Sequence, residues 1–566
     1  MFVRKQNVKN DGHDYKYLKV VENVWEKGHT KQVTLVNLGN VTHWPKEKLH
    51  DLVEVLGRFL SMEVVNLADV EIFDCRSLGP FLILNHLWEE IGLDRIITQA
   101  IASRAVSHKA RPVLLPVAEY VRAMVFNRLV DPRSKKGVSE WLPRDVFIPG
   151  LIPEELSLHG YYRALEYLSE ASTPIEQALH ARFADLFNRD ISLVFYDLTS
   201  TYFEGTQCEL AKYGYSRDHR PDCLQIEIGL LVDADGLTIG HRVFGGNVAD
   251  VATVLGTLES LQEDFKVRRC IFVADDGMAS EDNLKAIEDK GYEYITSLSL
   301  GKSAVGAQLM QTCPPKKDFT VIEHNLLIHP LMADETVRYI GTYNPLRAAS
   351  TRRHRKERLR ACLDYLKQRQ ELRSKRPSER SNRTTELQAT QLIVSKRVQE
   401  LIRLERDPQG NWVGRLNKEA IRRAKKQDGM LILQTNTKTL TDAEVATGYR
   451  TLWKVENAFR HIKNLIRLRP IRHWSDPRVL GHVCVCVLAY TLECLIERKL
   501  QQAKVPLSAR EAITEMQSLM VATLKTEQRQ VTKRSNITQT QQRILAAIGV
   551  PPVPTIWHEA KTAEND

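Results

Sequence analysis

The sequence predicts a multidomain α/β protein built around a mixed β-sheet with helices. The chain has 566 residues, which is enough for three or four domains of ordinary size. Its apolar fraction of 43% is that of a globular protein with well-formed cores. Strand-like and helix-like segments alternate between residues 191 and 300, and such alternation is typical of a sheet that contains parallel strands.

The charge balance favours a polyanionic partner. The formal net charge is +10 and the isoelectric point is about 9.0. Nucleic acid is the first partner that this balance indicates, and an anionic membrane surface is the second. Many enzymes with anionic substrates are mildly basic, so the motifs have to decide between the two.

The cysteines and apolar segments argue against a secreted or membrane-spanning protein. The nine cysteines lack framework spacing, and no CxxC pair indicates zinc. The N-terminus lacks the apolar stretch of a signal peptide. The most apolar segment, residues 479–497, contains Cys484 and Cys486 and is interrupted by His482 and Glu493. It predicts a buried helix, and we expect a cytoplasmic protein with no membrane partner.

Two segments precede the predicted sheet. Residues 1–70 are strand-rich, and residues 71–190 carry apolar residues at helical spacing. The stretch EWLPRDVFIPGLIP breaks the helical pattern with three prolines. We expect two helices before it and two after it, the last two separated near Pro174.

Residues 191–300 predict the core of the sheet. ISLVFYDLTSTYFEG is its first strand, and two more strands joined by the turn Asp-Ala-Asp-Gly follow. A helix over 250–265 leads to a fourth strand, RRCIFVADDG, and another helix leads to the strand YEYITSLSL. A three-stranded meander followed by a helix and a parallel strand makes a mixed sheet.

The rest of the chain divides into three predicted segments. Residues 301–440 form an insertion with short strands around a segment rich in Arg and Lys. That segment fits a solvated helical hairpin or an arm that follows DNA, and the two interpretations are compatible. Residues 441–500 predict a helix that begins near Thr441, then a turn and a second long helix. Residues 501–566 predict a helical region and a loose tail.

Asp197 stands within the first apolar strand, where a carboxylate is unfavourable unless it has a partner. One explanation is a buried Asp that accepts hydrogen bonds from the backbone or from an Arg. A metal ion is the other. Asp275 ends the fourth strand, and α/β folds place their sites at strand ends.

The helix from about residue 441 carries an unusual polar stripe. Tyr449, Glu456 and Lys463 are seven residues apart. Seven residues turn a helix by about 700°, which leaves a drift of only about 20° per step, so the three share a face. Arg460 lies four residues after Glu456. The stripe fits a phosphate-handling face, although a surface stripe with an ion pair between Glu456 and Arg460 fits as well.

Three carboxylates that converge predict a magnesium site. Asp197 and Asp275 lie on adjacent strands, if the meander is right, and the helix with Glu456 can pack across them. Mg²⁺ prefers hard oxygen ligands. Two such ions can activate an attacking oxygen and stabilise a leaving one in phosphoryl transfer.

The motifs VFYDLTSTYFEG, FVADDGM and YRTLWKVENAFRHIK, in this order, resemble the DDE transposases of bacterial insertion sequences. The branch with a Tyr-Arg-Glu-Lys signature is the most similar, because Tyr449, Glu456 and Lys463 fall on its spacing. The resemblance covers roughly residues 190–300 and 425–500 and the insert between them. It implies a ribonuclease-H-like mixed sheet with helices, interrupted by a β-rich insertion.

The resemblance also implies the site residues. Asp197, Asp275 and Glu456 would be the catalytic ligands of two Mg²⁺ ions, for which Mn²⁺ can substitute. The helix around Glu456 would contact DNA. The candidate DNA-binding residues are Tyr449, Arg450, Trp453, Lys454, Arg460 and Lys463.

The sequence departs from the family pattern at two positions. The signature Arg position is Leu452 in this chain, and we expect Arg450 or Lys454 to be the nearest replacement cations. The second motif has Asp276 where a basic residue is usual. We prefer Asp275 to Asp276 as the ligand because it keeps the strand-end position.

The implied activity is metal-dependent cleavage at transposon ends and strand transfer into target DNA. The implied partner is double-stranded DNA, both the terminal inverted repeats and the target, bound by a homodimer that is nucleoid-associated. Residues 71–190 would supply much of the DNA recognition. A hydrolytic ribonuclease-H-like nuclease is the enzyme alternative, and an inactive domesticated DNA-binding protein is the other.

Polar and aromatic residues outside these motifs are interpreted as structural. Trp412 fits a core residue better than a surface that stacks a flipped base. His473 and Trp474 follow the signature helix, Asn247 fits a turn, and Glu204 fits an exposed position.

Overall fold

The computed structural model describes residues 2–10, 12–26, 29–59, 70–107, 113–187, 193–248, 250–265, 267, 270–298, 300, 303–333, 336–375, 379–526 and 529–561. The chain forms two compact units. The smaller unit contains residues 1–75, 522–533 and 555–566, and the larger one contains residues 76–521 and 534–554.

The N-terminal strands pair as a meander, since β2 is antiparallel to both β1 and β3. Part of the predicted strand over residues 62–73 lies outside the described residues, and β4 begins at Glu71. In chain order the first elements are β1 (Phe2–Asn10), β2 (His13–Glu26), β3 (His29–Asn40), α1 (Lys46–Phe59), β4 (Glu71–Ser77), α2 (Gly79–Glu90), α3 (Leu93–Ser107), α4 (Val117–Val130), α5 (Lys135–Asp145) and α6 (Leu158–Phe187).

The predicted break near Pro174 is wrong, because α6 is one helix of 30 residues with Pro174 inside it. Its buried face packs against α3 and α4 and against a long helix near the end of the chain. Tertiary packing of an apolar face therefore outweighs the loss of one backbone hydrogen bond at the proline.

The central sheet contains the predicted meander, helix and parallel strands. Its elements are β5 (Leu193–Tyr202), β6 (Gln225–Asp233), β7 (Thr238–Gly245), α7 (Asp250–Glu263), β8 (Ile271–Ala274), α8 (Glu281–Asp289) and β9 (Glu293–Leu298). Strand β6 is antiparallel to β5 and β7, whereas β8 is parallel to both β5 and β9. Strand β6 is buried at every position, which explains its continuous apolar run. The mixed sheet predicted from the sequence is confirmed.

Four strands of the insertion extend the same sheet, whereas β13 and β14 pair as a separate two-stranded sheet. Among the described strands the order is β10-β11-β12-β15-β9-β8-β5-β6-β7. Strand β15 pairs antiparallel with β9, so the insertion returns directly to the core. The insertion elements are α9 (Ala304–Thr312), β10 (Thr320–Glu323), β11 (Leu326–Ala333), β12 (Arg338–Tyr343), α10 (Pro345–Lys375), α11 (Glu379–Ser395), β13 (Ile402–Arg406), β14 (Trp412–Leu416), α12 (Lys418–Gln427) and β15 (Met430–Thr435).

The charged segment of the insertion folds as the predicted helical hairpin. Helices α10 and α11 have 31 and 17 residues, and they bury a small apolar cluster that includes Leu359, Cys362 and Ile393. Trp412 lies half-buried on β14, with the Arg406 guanidinium 4.8 Å from its ring centroid. This placement agrees with a structural tryptophan.

The last elements pack in part on the helical region. They are α13 (Asp442–Arg450), α14 (Trp453–Arg460), α15 (Asp476–Gln502), α16 (Ala509–Met516), β16 (Met520–Lys525), β17 (Arg529–Arg534), α17 (Gln539–Ile548) and β18 (Ile556–Lys561). Helix α15 is apolar and long enough to cross a membrane by composition, but 89% of its apolar window is buried in the structure. It is a core helix, as predicted, and packs against α6 and α4.

The predicted loose tail is wrong at its start. Strand β18 pairs with β17 in a sheet of order β18-β17-β16-β4. These strands are six or seven residues long, and each contains charged residues among its apolar ones. Such short strands have little hydrophobic signal, and pairing with a distant part of the chain completes them.

Candidate active site

Strand register brings the first two carboxylates together. Strands β5 and β8 are parallel, with Phe195 opposite Val273. Two residues further along, the same register aligns Asp197 with Asp275. Side chains at aligned positions of neighbouring strands point to the same face of a sheet. Asp275 follows the last residue of β8, so the two carboxylates meet where the shorter strand ends.

Asp197 lies in the electrostatic field of the other two carboxylates. Its side chain is half-buried, and the backbone N–H of Leu198 donates a hydrogen bond to its Oδ1 at 2.8 Å. The pKa of Asp197 is raised to about 7, chiefly by burial and also by the charges of Asp275 and Glu456, while the Leu198 N–H and the charge of Arg217 oppose the shift. All three predicted ligands are therefore near enough to interact electrostatically.

Glu456 reaches this place on a helix that crosses the sheet. Helix α14 packs against β5 and β6, and α13 packs against β8 and β9. Helix α13 begins with a capping box between Thr441 and Glu444, which confirms the predicted helix start. Helix α14 begins at Trp453, and Glu456 is exposed in its first turn.

The prediction of one continuous helix from Tyr449 to Lys463 is wrong. Helix α13 ends at Arg450, α14 begins at Trp453, and a π-turn covers His461–Leu465. At the first break the N–H groups of Leu452 and Val455 bond to carbonyls three residues back. Tighter and wider turns change the angle per residue. Seven-residue spacing therefore does not place Tyr449, Glu456 and Lys463 on one regular face.

Lys463 is buried in an ion-pair cluster. Its Nζ lies 2.8 Å from Asp218 Oδ1, and Arg469 contacts the same oxygen. The side chain of Asp218 is only 4% exposed. Burial lowers the pKa of Lys463, and the hydrogen bond that its ammonium donates to Asp218 opposes that shift. A phosphate contact by Lys463 would require release from this carboxylate.

The other predicted DNA contacts divide into two groups. Tyr449, Arg450 and Trp453 line a cavity of about 540 Å³ together with Asp275 and Glu456. Trp453 is 54% exposed there, and Arg450 pairs with Glu323 at 2.7 Å. By contrast, the Lys454 ammonium donates to the carbonyl oxygen of Ala234, and Arg460 is exposed outside the residues that line this cavity.

The insertion supplies polar residues to the cavity that were not predicted. Asn325 lines it from the turn before β11, Asn344 from the residue after β12, and Arg347 from the first turn of α10. Leu452, which replaces the signature Arg, is buried in its wall. Arg347 therefore places a guanidinium in this cavity, whereas position 452 contributes none. No short-range signal marks it, because the strands between Asp275 and Glu456 bring it there.

The donor set fits a hard divalent cation that shares its ligands with substrate. Among the described residues, no group of three or more His, Cys, Asp or Glu side chains is close enough to enclose a metal ion. Mg²⁺ usually keeps several waters and binds through one or two carboxylates plus phosphate oxygens. The negative field at Asp197 is the feature that such a cation would offset.

Several neighbouring residues have structural roles. Arg217 donates to Glu227 Oε2 at 2.6 Å, and neither residue was predicted. Asp233 accepts from the N–H groups of Asp235 and Leu237, as a turn residue does. The side chain of Asp276 lies outside the described part of the structure, so the choice between it and Asp275 stays a prediction.

Comparison with known proteins identifies one family and one similar solved structure. A family model described as "Transposase DDE domain" matches residues 188–492, which include all three carboxylates. Among solved structures, the chain is similar to a piggyBac transposase in a synaptic complex with hairpin DNA, at 9% sequence identity and a TM-score of 0.37, over 80% of this chain and 81% of that chain. No curated protein matches the chain.

Proposed function

The chain belongs to the transposase DDE domain family, and from this premise we propose that it cuts DNA at the ends of a transposon and joins the freed ends to target DNA. The family membership supports a DNA transposase. What we propose beyond this membership is the chemical steps of the reaction and the residues that perform them.

The proposal assigns Asp197, Asp275 and Glu456 as ligands of two Mg²⁺ ions, with Mn²⁺ able to substitute. When bound, the ions supply activation of the attacking oxygen and stabilisation of the leaving oxygen. The observation that carries this assignment is the register of β5 and β8, which aligns two carboxylates, together with the effect of the Asp275 and Glu456 charges on Asp197. The Leu198 N–H orients Asp197 toward this role.

DNA phosphates would enter the cavity between α13, α14 and the insertion. Tyr449, Arg450 and Trp453 line it, and Arg347 adds a cation from α10. We propose that Arg347 replaces the guanidinium that a Tyr-Arg-Glu-Lys signature would carry at Leu452. Arg460 is exposed and can contact the same DNA, whereas Lys454 and Lys463 would have to leave internal partners.

The proposed partners are the terminal inverted repeats and the target DNA, both double-stranded. A homodimer on paired ends is the assembly we propose, in the cytoplasm and at the nucleoid when bound. The net charge of +10 supports a DNA partner. The bacterial insertion-sequence branch is part of this proposal.

A plasmid assay tests the activity. A supercoiled plasmid carrying the DNA that flanks the gene is incubated with the purified chain and Mg²⁺ or Mn²⁺. Asp197→Asn and Glu456→Gln are compared with Asp289→Asn as a matched control. Asp289 is an exposed carboxylate at the end of α8. Because β8 and β9 are parallel, α8 carries the chain back to the start of the strands. Asp289 therefore lies toward the end of the strands opposite to Asp275.

We expect cuts at defined ends and joined products for the wild type and Asp289→Asn, and neither product for the other two variants. Cleavage without joining would instead indicate the hydrolytic nuclease. End binding with no cleavage by the wild type would indicate the inactive DNA-binding protein.

A further inference from the structure

A second cavity, of about 650 Å³, is lined almost entirely by cationic and aromatic side chains. Its lining contains seven Arg and Lys residues and two histidines, and no Asp or Glu occurs among the described residues that line it. The cationic residues are Arg128, Arg133, Lys135, Arg467, Arg469, Arg472 and Arg478. This concentration of one charge sign indicates an anionic ligand.

Lys135 is the most informative residue of this cationic cavity. Its side chain is 3% exposed, and its Nζ has no hydrogen-bond partner among the described residues. A buried ammonium without a partner is strongly unfavourable. Since Lys135 lines the cavity, an anion there would be its partner.

The N-terminus of α5 adds a second source of positive charge. Ser134 is the N-cap and accepts from the N–H of Gly137 at 3.1 Å. The first turn of α5 has no acidic residue. Ser134 and Lys135 both line the cavity, so the helix dipole and the ammonium favour an anion at the same place.

Two other side chains that line the cavity, Arg128 and His482, have buried nitrogen atoms without a hydrogen-bond partner among the described residues. Arg128 donates to the backbone carbonyls of Arg467 and Arg133, while its buried Nε lacks a partner among the described residues. His482 contacts the Leu468 carbonyl through Nε2 at 3.3 Å, and its buried Nδ1 lacks a partner in the same described set. The Nε–H of Arg128 could donate to a phosphate oxygen. Because Nε2 of His482 faces a carbonyl, its Nδ1 could do so only when the ring is protonated.

Electrostatic shifts agree with this geometry. Burial lowers the pKa of Lys135 and His482, and the neighbouring cations lower both further. The pKa of His473 falls to about 3 for the same two reasons. Acidic residues nearby are engaged at the rim: Glu166 pairs with Arg478, Glu204 with Arg472, and Asp131 and Asp145 with Arg133.

We propose that this cationic cavity binds a phosphate group of the DNA backbone, held by Lys135, Arg128 and the N-terminus of α5. The choice of DNA as the source of the phosphate rests on the proposed function. One residue connects the cavity with the buried cluster beside the carboxylate site: Arg469 lines the cavity and contacts Asp218, which also binds Lys463. In this proposal one DNA molecule contacts both places.

Inorganic phosphate, without metal or DNA, tests the anion site. Trp474 lines the cavity and is 61% exposed, so its fluorescence reports binding. We expect Lys135→Gln to weaken phosphate affinity about tenfold or more, because a buried charge-assisted bond is lost. Lys136→Gln is the matched control, since Lys136 is 73% exposed on the same helix, and its affinity should stay within about twofold.

A rim variant guards against a folding defect. Arg472 is 73% exposed, and Arg472→Gln should weaken phosphate binding about threefold. Lys135→Gln should melt at the wild-type temperature or higher in phosphate-free buffer, because it removes an unpaired buried charge. A large fall in its melting temperature would give Lys135 a structural role and overturn the proposal. Unchanged phosphate affinity in both variants would also overturn it.

A metal-free DNA oligonucleotide separates DNA from free phosphate. Lys135→Gln should weaken DNA binding about tenfold and reduce the salt dependence by about one counterion, whereas Lys136→Gln should change neither. Loss of phosphate binding with unchanged DNA affinity and salt slope would show a site for a free anion and overturn the DNA assignment. Because neither arm requires cleavage, failure of the cavity is distinguishable from failure of the transposase activity.

Discussion

The carboxylate site and the cationic cavity of the larger unit are opposite in charge and alike in construction. At the first, burial and then the charges of Asp275 and Glu456 raise the pKa of Asp197. At the second, burial and then the neighbouring cations, Arg128 among them, lower the pKa of Lys135 and His482. Each place holds like charges whose mutual repulsion a ligand of opposite sign would relieve. A divalent cation suits the first and a phosphate the second, and DNA with its metal ions supplies both.

The Asp218 cluster shows what the protein does with charges that serve structure. Lys463 and Arg469 meet one carboxylate that is 4% exposed. Each cation there has a carboxylate partner within the protein, and the cluster ties the loop after β5 to the segment after α14. Uncompensated like charges therefore mark the places for ligands, and compensated ones mark the framework between them.

The largest effect should come from removing one charge at the carboxylate site. Asp197→Asn should lower end cleavage by about 10³-fold or more, since loss of several kcal/mol of metal-mediated stabilisation corresponds to that factor. DNA affinity without metal should stay within about threefold, because the carboxylate repels phosphate rather than binding it. Cleavage rates and metal-free DNA titrations measure the two effects. Equal losses of end cleavage and of metal-free DNA affinity would contradict a role for Asp197 in metal binding alone.

Removal of the compensating charge should affect stability instead. Asp218→Asn should lower the free energy of unfolding by about 3–5 kcal/mol, because two cations lose their buried partner. Urea unfolding measures this change. The control is Asp222→Asn, whose carboxylate is 62% exposed beside Arg220, and it should cost less than about 1 kcal/mol. A small effect at Asp218 would mean that the cluster is not part of the framework.

Substitution of Arg347 tests whether the insertion supplies the cation that the signature helix lacks at Leu452. Arg347→Gln should weaken binding to transposon-end DNA about tenfold, as expected for a lost charge-assisted phosphate contact. Arg353→Gln on the same helix α10, where Arg353 is 68% exposed, should change binding by less than about twofold. Equal effects of the two substitutions would assign α10 only a general electrostatic role.

The smallest effect concerns pH. His461 lies 2.9 Å from the buried carboxylate of Glu493, and the hydrogen bond with Glu493 raises the pKa of His461, opposed by burial. A raised folded-state pKa means that the stabilisation is complete below the unfolded value near 6.5 and is lost as pH rises through the folded value. His461→Gln should remove about 1 kcal/mol of pH-dependent stability. Unfolding curves from pH 5 to 9 that are parallel for both proteins would contradict this.

The sequence predicts the central sheet well because its signals are local. Apolar runs with intervening turns define β5 to β9, and the two strand carboxylates stand out against them. The break between α13 and α14 escapes prediction, since no proline or glycine occurs at Thr451 and Leu452. The partners Lys463 and Asp218 are 245 residues apart, and Arg347 and Lys135 acquire their surroundings only through folding. Residue types are thus predictable where burial is local, and their partners are not.

The central claim is that Asp197, Asp275 and Glu456 bind divalent metal together with DNA. Electron paramagnetic resonance of free Mn²⁺ tests it directly, by titration of Mn²⁺ into the full chain bound to end DNA. We expect two ions per chain for the wild type and for Asp289→Asn, and a loss of at least one ion or a tenfold weaker affinity for Asp197→Asn and Glu456→Gln. Wild-type stoichiometry and affinity in both of these variants would contradict the claim and leave Asp197 as a buried carboxylate that the backbone N–H of Leu198 satisfies.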